Sequence, residues 1–287
     1  MAMKRYALVL LLGLVVAAPV FAADLKLATW NLEWLTDRGA GDTRLPSDAH
    51  PKRPEDFDVL SRYAAELDAD VIAIQEVDGS AVAARVFPPE SYSVHMTRDH
   101  VVQRVGLAVK RGIRYSVNPD VTGLDVDPGH QLRSGADITL DLAHGSLRVL
   151  SVHLKTGCFD ERLTRTTRRT CAELSAQIPP LQDWIAARST EGVPFAILGD
   201  FNRHMDGRDQ FWTALRKASP LTRATEGRAS PCWGGEAFID HILLGGAARE
   251  WLQPDTLRVL TYRETGDAWK ERLSDHCPVS VRLHVPD

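Results

Sequence analysis

Apolar residues along this chain follow two spacings, one typical of helices and one typical of buried strands. The first helically spaced set consists of Phe57, Leu60, Tyr63, Ala64 and Leu67. Pro54 stands just before this set, where proline suits the first turn of a helix. Residues 71–74 are a fully apolar run. The pattern therefore predicts a helix that leads into a buried strand.

A second helically spaced set is interrupted by prolines. It consists of Leu174, Ile178, Leu181, Ile185 and Arg188. Because Pro179 and Pro180 fall inside it, we expect a kink or two short helices, followed by a strand at 195–198. Further segments with the composition of strands are 104–110, 137–142, 148–152, 238–244 and 278–285. By itself, this mixture indicates an α/β or an α+β protein.

The first residues have the pattern of a secretory signal peptide. Lys4 and Arg5 precede a short apolar run, and small residues surround a candidate cleavage point. We predict a signal peptide at 1–22; the alternative is a membrane anchor, although the run is shorter than the roughly 20 apolar residues of a span. Because no linker divides the 287-residue chain, we expect one domain at 23–287.

Export to the periplasm or the medium would make the four cysteines candidates for disulfide bonds. Three pairings are possible. We favour Cys158 with Cys171, because the loop between them is short and polar, and Cys232 with Cys277 by elimination. The alternative is that Cys277 is a free, buried residue.

Polar residues suited to catalysis follow several of the apolar runs. The segments concerned read TWNLEW (29–34), IQEVD (74–78), SVHLK (151–155), LGDFNRH (198–204), IDHILL (239–244) and LSDHCPV (273–279). Side chains at strand ends gather over one crevice in open α/β sheets. Carboxylates, amides and histidines gathered in this way predict a site for a metal ion and a phosphate.

These six segments, in this order, resemble the endonuclease/exonuclease/phosphatase superfamily, the deoxyribonuclease I-like hydrolases. The resemblance covers nearly the whole chain after residue 25. It implies an α/β fold, a four-layer α/β/β/α sandwich with two central mixed sheets. It also implies a metal-dependent enzyme that hydrolyses phosphate esters.

The resemblance assigns the metal to Glu76. From their side-chain chemistry we add Asn31, whose amide can contact a metal-bound oxygen, and Asp275 as a metal-proximal carboxylate. Carboxylate and amide oxygens suit a hard cation, so we expect Mg²⁺, with Mn²⁺ or Ca²⁺ as alternatives. Glu33 fits a solvent-facing or supporting role.

Catalytic roles fall to two histidines and their polar neighbours. We assign His276 as general base with Asp240 as its acidic partner, because a carboxylate fixes the tautomer of an imidazole and raises its basicity. His153 is the candidate acid or transition-state stabiliser. By resemblance, Asp200 orients the attacking water and Asn202 holds the phosphate; Gly199 suggests a tight turn between them and the strand.

Phosphate contacts are expected from Arg133 and Lys155, together with Asn31 and Asn202. A guanidinium fits two phosphoryl oxygens at once, and Lys155, two residues after His153, would share its face of the strand. Some relatives have a glutamate or a tyrosine near the fourth strand, where this chain has Gln103, Arg104 and Val105. The partner of His153 is therefore open.

Three further features have structural alternatives. Arg203 and His204 could reach a flanking phosphate, and Trp233 could stack on a base or a lipid or simply pack beside Cys232. Four arginines between Cys158 and Cys171 could bind phosphate or form a solvated loop; they are Arg162, Arg165, Arg168 and Arg169. His241 points to the opposite face of its strand from Asp240, so we expect a structural role for it.

These features favour an exported nuclease that cleaves DNA or RNA internally. The formal net charge of −4 gives no long-range attraction for nucleic acid, so any phosphate-binding surface must be local. The alternative is a phosphodiesterase or phosphatase for phospholipid head groups or small phosphate esters. A third alternative, a non-enzymatic interaction protein, does not explain why all the principal motif residues are present. We expect a monomer with no permanent membrane span.

Overall fold

The computed structural model describes residues 24–39, 41–47 and 49–286. The signal peptide predicted at 1–22 lies outside the described residues. The strands, in chain order, are β1 (Asp24–Leu35), β2 (Val71–Val77), β3 (Tyr92–Met96), β4 (Arg104–Lys110), β5 (Arg114–Val117), β6 (Ala136–Leu142), β7 (Gly145–His153), β8 (Phe195–Asp200), β9 (Leu221–Arg223), β10 (Ala229–Ser230), β11 (Glu236–Ala237), β12 (Asp240–Gly245), β13 (Arg258–Val259) and β14 (Val279–His284).

Seven helices connect these strands in the described part of the chain. They are α1 (Pro54–Leu67), α2 (Ser80–Ala83), α3 (Arg169–Ala176), α4 (Ile178–Thr190), α5 (Gln210–Ala218), α6 (Ala248–Trp251) and α7 (Asp267–Arg272). The longest, α1, has 14 residues. In the described part of the chain, no helix combines the length and the hydrophobicity that a transmembrane span requires.

Two six-stranded sheets form the centre of the molecule. The first has the order β13-β14-β1-β2-β4-β3, and the second has the order β5-β6-β7-β8-β12-β9. Each contains one parallel pair, β1 with β2 and β7 with β8, among antiparallel neighbours. Both sheets are therefore mixed, and β10 with β11 forms a separate two-stranded ribbon.

Three apolar clusters arrange the sheets and helices in four layers. The cluster between the sheets combines side chains from both of them, including Leu27, Val71, Leu107, Ile138, Val149 and Ala196. Another joins the outer face of the first sheet to α1, and the third joins the outer face of the second sheet to α3, α4 and α5. The predicted α/β/β/α sandwich is confirmed, because each sheet buries both of its faces, one against the other sheet and one against helices.

The helices begin where their sequences allow. In α1, Pro54 occupies the first turn and the Asp56 carboxylate accepts a hydrogen bond from the Arg53 backbone N–H at 2.9 Å. The proline-interrupted segment forms two helices, α3 and α4, which meet at Gln177. Pro179 and Pro180 lie in the first turn of α4, where a missing backbone N–H leaves no hydrogen bond unmade.

Two disulfide bonds fasten loops beside the ends of the strands. They join Cys158 to Cys171 and Cys232 to Cys277, which is the pairing that the sequence analysis favoured. The first ties the loop after β7 to α3. The second ties the turn after β10 to the residue that follows His276.

His241 lies on β12 and is buried on the face opposite Asp240. Its Nε2 donates to the carbonyl oxygen of Arg203 at 3.0 Å, and its Nδ1 accepts from the Thr225 hydroxyl at 2.6 Å. Burial lowers the pKa of His241 to about 3. The imidazole is therefore neutral and holds β12 to the segment that follows β8.

Acid should destabilise the protein through His241. Folding lowers the pKa of His241 from 6.5 to about 3. The contribution of neutral His241 to the free energy of unfolding is therefore complete above pH 6.5 and decreases as the pH falls toward 3. At pH 5 the free energy of unfolding should have lost about 2 kcal/mol from this group. Denaturant unfolding at pH 7 and pH 5 should show a smaller loss for His241→Gln than for the wild type. An equal loss in both proteins would contradict the assignment.

Candidate active site

Strand register brings three of the predicted residues together at one edge of the second sheet. His153 is paired with Asp200 across β7 and β8, and Asp200 is paired with Asp240 across β8 and β12. Neighbouring strands lie about 4.8 Å apart. One histidine and two carboxylates are therefore adjacent, with Asp200 between the other two.

Asn31 connects this edge to the first sheet. Its Nδ2 donates to Glu76 Oε1 at 3.0 Å and to Asp200 Oδ2 at 3.1 Å. The Asn31 amide is oriented by its own Oδ1, which accepts from the Glu33 backbone N–H at 2.9 Å. The two sheets are thus joined by a buried polar bridge between their candidate catalytic residues.

Glu76 has an unusual backbone conformation at the end of β2. Its φ is +60°, a backbone conformation that costs a non-glycine residue of order 1–3 kcal/mol. The pairing of β2 with its neighbours is also irregular there. Its carboxylate accepts from the Trp34 backbone N–H at 3.2 Å and from the Gln103 side chain. Gln103, which the sequence analysis noted only as a departure from relatives, therefore contacts Glu76.

His276 forms the predicted pair with Asp240. Its Nδ1 donates to Asp240 Oδ2 at 2.7 Å, and its Nε2 lies 3.7 Å from Asp200 Oδ2 and 3.7 Å from Asp275 Oδ1. The Ser274 hydroxyl accepts from the His276 backbone N–H at 3.0 Å and donates to the Asn31 carbonyl oxygen at 2.8 Å. His276 is therefore held by the same network as Asn31.

The charges around these residues give them different protonation states. Burial raises the pKa of Asp200 to about 7, although His276 beside it acts in the opposite direction. Burial alone would lower the pKa of His276, but Asp240 and the other nearby carboxylates raise it well above its usual value. Burial and then Arg133 lower the pKa of His153 well below its usual value. At neutral pH, His276 is therefore protonated and positively charged, and His153 is neutral.

The tight turn expected at Gly199 is wrong. Gly199 lies inside β8, and the strand continues to Asp200. A Cβ built at Gly199 would lie 1.9 Å from the carbonyl oxygen of Val152, so glycine is needed here for the close approach of β7 and β8. The chain turns at Asn202 instead, where φ is +50°. The Asn202 backbone N–H donates to Asp200 Oδ1 at 2.8 Å.

Arg133 and Lys155 lie where positive charge can reach the site. Arg133 is buried and its Nε donates to the His153 carbonyl oxygen at 3.1 Å. Lys155 follows the end of β7, so strand alternation does not apply to it, and its Nζ lies 3.7 Å from Glu173 Oε2. Both side chains line the same cavity as His153.

Several other basic or aromatic residues are engaged in structural contacts. Arg203 is buried, with Nη2 2.6 Å from Asp209 Oδ2 and Nη1 donating to the Cys158 carbonyl oxygen at 2.8 Å. Of the two alternatives considered for Arg203, these contacts favour the structural one. His204 contacts Asp160 at 2.9 Å.

Trp233 also packs rather than standing free. Its ring stacks on Tyr262 with centroids 5.3 Å apart, and its Nε1 donates to the Ser274 carbonyl oxygen at 2.8 Å. In the arginine-rich loop, Arg168 pairs with Glu161, and Arg169 pairs with Glu173 at 2.6 Å and Asp127 at 3.1 Å. Only Arg169 among the four arginines of this loop lines the cavity.

Near the site lies a buried lysine that sequence reasoning missed. Lys52 is 7% exposed, and its Nζ has no hydrogen-bond partner among the described residues. Burial, then Asp275, raises the pKa of Glu33 to about 7, while Lys52 acts in the opposite direction. Glu33 accepts a hydrogen bond from the Asp275 backbone N–H at 2.9 Å. Lys52 lies in no motif and follows no apolar run, so the sequence pattern offered no means of finding it.

The oxygen atoms in this cavity fit a hard divalent cation. Glu76, Asp200 and Asp275 line one cavity of about 620 Å³ together with His153 and His276. Ligand atoms of Asp200, Asp240 and His276 also lie within 4.8 Å of one another. Since the His276 Nδ1 is already bonded to Asp240, the carboxylate set around Glu76 suits such a cation better.

Comparison with known proteins agrees with this geometry. The model of the family described as Endonuclease/Exonuclease/phosphatase family matches residues 28–276. No protein with a curated description matches the chain significantly.

Solved structures share the fold at low sequence identity. Truncated TDP2 from Caenorhabditis elegans is 12% identical with a TM-score of 0.60, over 92% of this chain and 99% of that one. TDP2 from D. rerio complexed with a single strand DNA product is 14% identical with a TM-score of 0.58, over 91% and 98% of the two chains. The human Nocturnin catalytic domain with a bound sulfate anion is 15% identical with a TM-score of 0.54, over 90% and 93%.

A side chain at position 199 should disturb the site. Gly199→Ala would push β7 away from β8, so we expect a loss of about 1–3 kcal/mol in the free energy of unfolding and a loss of activity as His153 and Asp200 separate. Gly207→Ala is the matched control, because nothing lies within 4 Å of a Cβ built there. Denaturant unfolding measures both variants, and a Gly199→Ala protein as stable as the control would contradict the role given to this glycine.

Proposed function

Because the chain belongs to the endonuclease/exonuclease/phosphatase family, we propose that it is an exported, metal-dependent phosphodiester hydrolase that acts as a nuclease. One observation carries this proposal. Hydrogen bonds connect Glu76 through Asn31 to Asp200, and His276 lies 3.7 Å from the same Asp200 oxygen. A candidate cation ligand, a candidate base and a charged imidazole therefore surround one cavity.

Glu76 would hold the divalent cation, with Asp275 nearby and Asn31 keeping the Glu76 carboxylate in place. The expected ion is Mg²⁺, with Mn²⁺ or Ca²⁺ as alternatives. When bound, such a cation would neutralise negative charge on the phosphoryl oxygens. The strained backbone of Glu76 supports this role, because such conformations are kept at functional sites.

Asp200 is the better candidate for the general base. Its pKa of about 7 leaves an ionised fraction near neutral pH that can accept a proton from water. The sequence alone favoured His276 for this role, but the carboxylates around His276 favour its protonated form. His276 would instead donate a hydrogen bond to a phosphoryl oxygen, with Asp240 holding its orientation. Asn202, fixed to Asp200, would help to orient the water and the phosphate.

Neutral His153 and two cationic side chains complete the proposed phosphate contacts. His153 lines the cavity, and its Nε2 lies 3.6 Å from Asp200 Oδ2 and 3.7 Å from Glu76 Oε1. A phosphoryl or leaving oxygen could contact the His153 ring, which would then act as a hydrogen-bond donor in the transition state. Arg133 and Lys155 would add positive charge around the phosphate.

Nucleic acid is favoured over lipid by the surface of the protein. Among the described residues, Val117 is the only large hydrophobic side chain that is exposed. Binding at a bilayer interface is strengthened by apolar area that enters it, and this surface offers little. The TDP2 from D. rerio, which shares the fold, was solved with a single strand DNA product.

Export is supported by the two disulfide bonds, which persist in oxidising compartments. The family match over residues 28–276 supports one domain at 23–287. We propose a periplasmic or secreted location.

The protein should nick supercoiled plasmid DNA or degrade RNA in the presence of Mg²⁺, and a chelator should stop it. Asp200→Asn should lower kcat about 10²–10⁴-fold, the usual range for loss of a general base. Asp141→Asn, which alters a half-exposed carboxylate paired with Arg114, is the matched control. Intact nucleic acid together with hydrolysis of sphingomyelin or phosphoinositides would contradict the nuclease proposal.

Activity should depend on pH in a way that the site charges set. As the pH rises through about 7, Asp200 loses its proton and kcat/KM should rise; at higher pH, His276 loses its proton and the rate should fall. Asp240→Asn removes the carboxylate that raises the pKa of His276, so the alkaline fall should move to lower pH. A profile at fixed Mg²⁺ measures both limbs. An unchanged alkaline limb in Asp240→Asn would show that His276 is not the group that titrates there.

A further inference from the structure

A second cleft opens beside the catalytic cavity. It has a volume of about 470 Å³, and it shares Gln103 and Gln131 with the catalytic cavity. We call it the Trp34 cleft, because its other walls include Trp34, Arg44, His100, Val102 and His130. A substrate held at the catalytic cavity can therefore continue past Gln103 into the Trp34 cleft.

The position of Trp34 is tied to the catalytic residues. Its backbone N–H donates to Glu76 Oε2 at 3.2 Å, and its φ is +51°. This conformation is uncommon for an aromatic residue. Any shift of the Trp34 backbone would disturb Glu76, so the start of this side chain has a fixed place relative to Glu76.

The Trp34 indole is free to bind a ligand. Among the described residues, its Nε1 makes no hydrogen bond within 3.5 Å and is not buried, and its ring has no aromatic partner. In contrast, Trp30 donates to Tyr262, and Trp184 donates to Asp137. A half-buried tryptophan on a cleft wall with its polar edge unpaired is suited to contact with a flat, polar ring.

Three ionisable side chains line the Trp34 cleft, and all three are basic: Arg44, His100 and His130. Arg44 and His130 are exposed, although each has a nearby aspartate, Asp42 at 2.8 Å and Asp125 at 2.7 Å. Glu76 lies beyond the shared wall, in the catalytic cavity. An aromatic surface bordered by basic groups is the chemistry that binds a single nucleic-acid strand.

We propose that the Trp34 cleft binds the nucleotide next to the scissile phosphate, with its base stacked on the Trp34 indole and its far phosphate near Arg44 and His100. The inference rests on the proposed hydrolysis of nucleic acid in the catalytic cavity. It assigns to Trp34 the stacking role that the sequence analysis considered for Trp233. The cleft then makes the enzyme prefer a strand that carries bases over a bare phosphodiester chain.

The test compares two six-residue strands, one with bases and one with stable abasic residues in place of its nucleotides. Each is prepared in a deoxyribose and a ribose form, so that the preferred nucleic acid is identified. The wild type should show a higher kcat/KM for the strand with bases. Trp34→Ala should reduce this preference about 5- to 150-fold, as expected for loss of one stacked base. Trp34→Phe should keep most of it.

A second variant tests the phosphate contact without changing the aromatic ring. Arg44→Ala should lower kcat/KM on both strands and weaken the dependence of kcat/KM on salt. Arg114→Ala is the matched control, because Arg114 is also exposed and paired with an aspartate but lies on β5. Thermal unfolding confirms that each variant is folded.

The outcomes separate the two proposals. If the wild type cleaves both strands and Trp34→Ala keeps the full preference for bases, the cleft proposal is wrong while the hydrolase proposal stands. If the wild type cleaves neither strand but hydrolyses a small ester such as bis(4-nitrophenyl) phosphate, the nuclease proposal fails and this inference fails with it. Loss of the base preference in Trp34→Ala, with its retention in Trp34→Phe, supports the cleft.

Discussion

The bridge from Asn31 to Glu76 and Asp200 is the contact on which the site depends. It is buried, and it joins carboxylates that belong to different sheets. An amide that donates to both partners satisfies oxygens that burial would otherwise leave without hydrogen bonds. The apolar packing between the sheets brings the two edges near each other, and Asn31 sets how they meet.

Around this bridge, charge is arranged unequally. Asp240 is committed to His276, whereas Asp200 is shared among Asn31, Asn202 and the two histidines. Two nearby buried carboxylates, Asp200 and Asp240, repel each other when both are ionised. The positively charged imidazole of His276 lies beside both and offsets part of this repulsion. The same surroundings that make Asp200 hard to ionise also keep His276 charged. Their roles therefore follow from position in the network rather than from residue type.

The sequence was informative where local pattern determines structure. Apolar periodicity predicted α1 and the core strands, and the prolines predicted the division between α3 and α4. The candidate residues at strand ends were found because each motif places a polar group directly after an apolar run. All of them line or adjoin one cavity.

The remainder depends on contacts between segments that lie far apart in the chain. Gly199 indicated a turn, but glycine is needed there because a Cβ would lie 1.9 Å from the Val152 carbonyl oxygen. That close approach exists only after β7 and β8 pair. Nothing in the sequence near Arg203 indicates that its guanidinium pairs with Asp209 in the folded protein. Lys52 enters the site through folding of a loop with no regular pattern. The sequence showed Gln103 as a departure from relatives. Its contact with Glu76 arises only when the first sheet has formed.

The bond between Cys232 and Cys277 has a consequence for when the enzyme becomes fully ordered. Cys277 directly follows His276, so closing this bond also restrains the loop that carries the charged imidazole. The bond does not form wherever thiols are kept reduced. If the protein is exported as proposed, its site would tighten only after it leaves the compartment that holds the genome and transcripts of the producing cell.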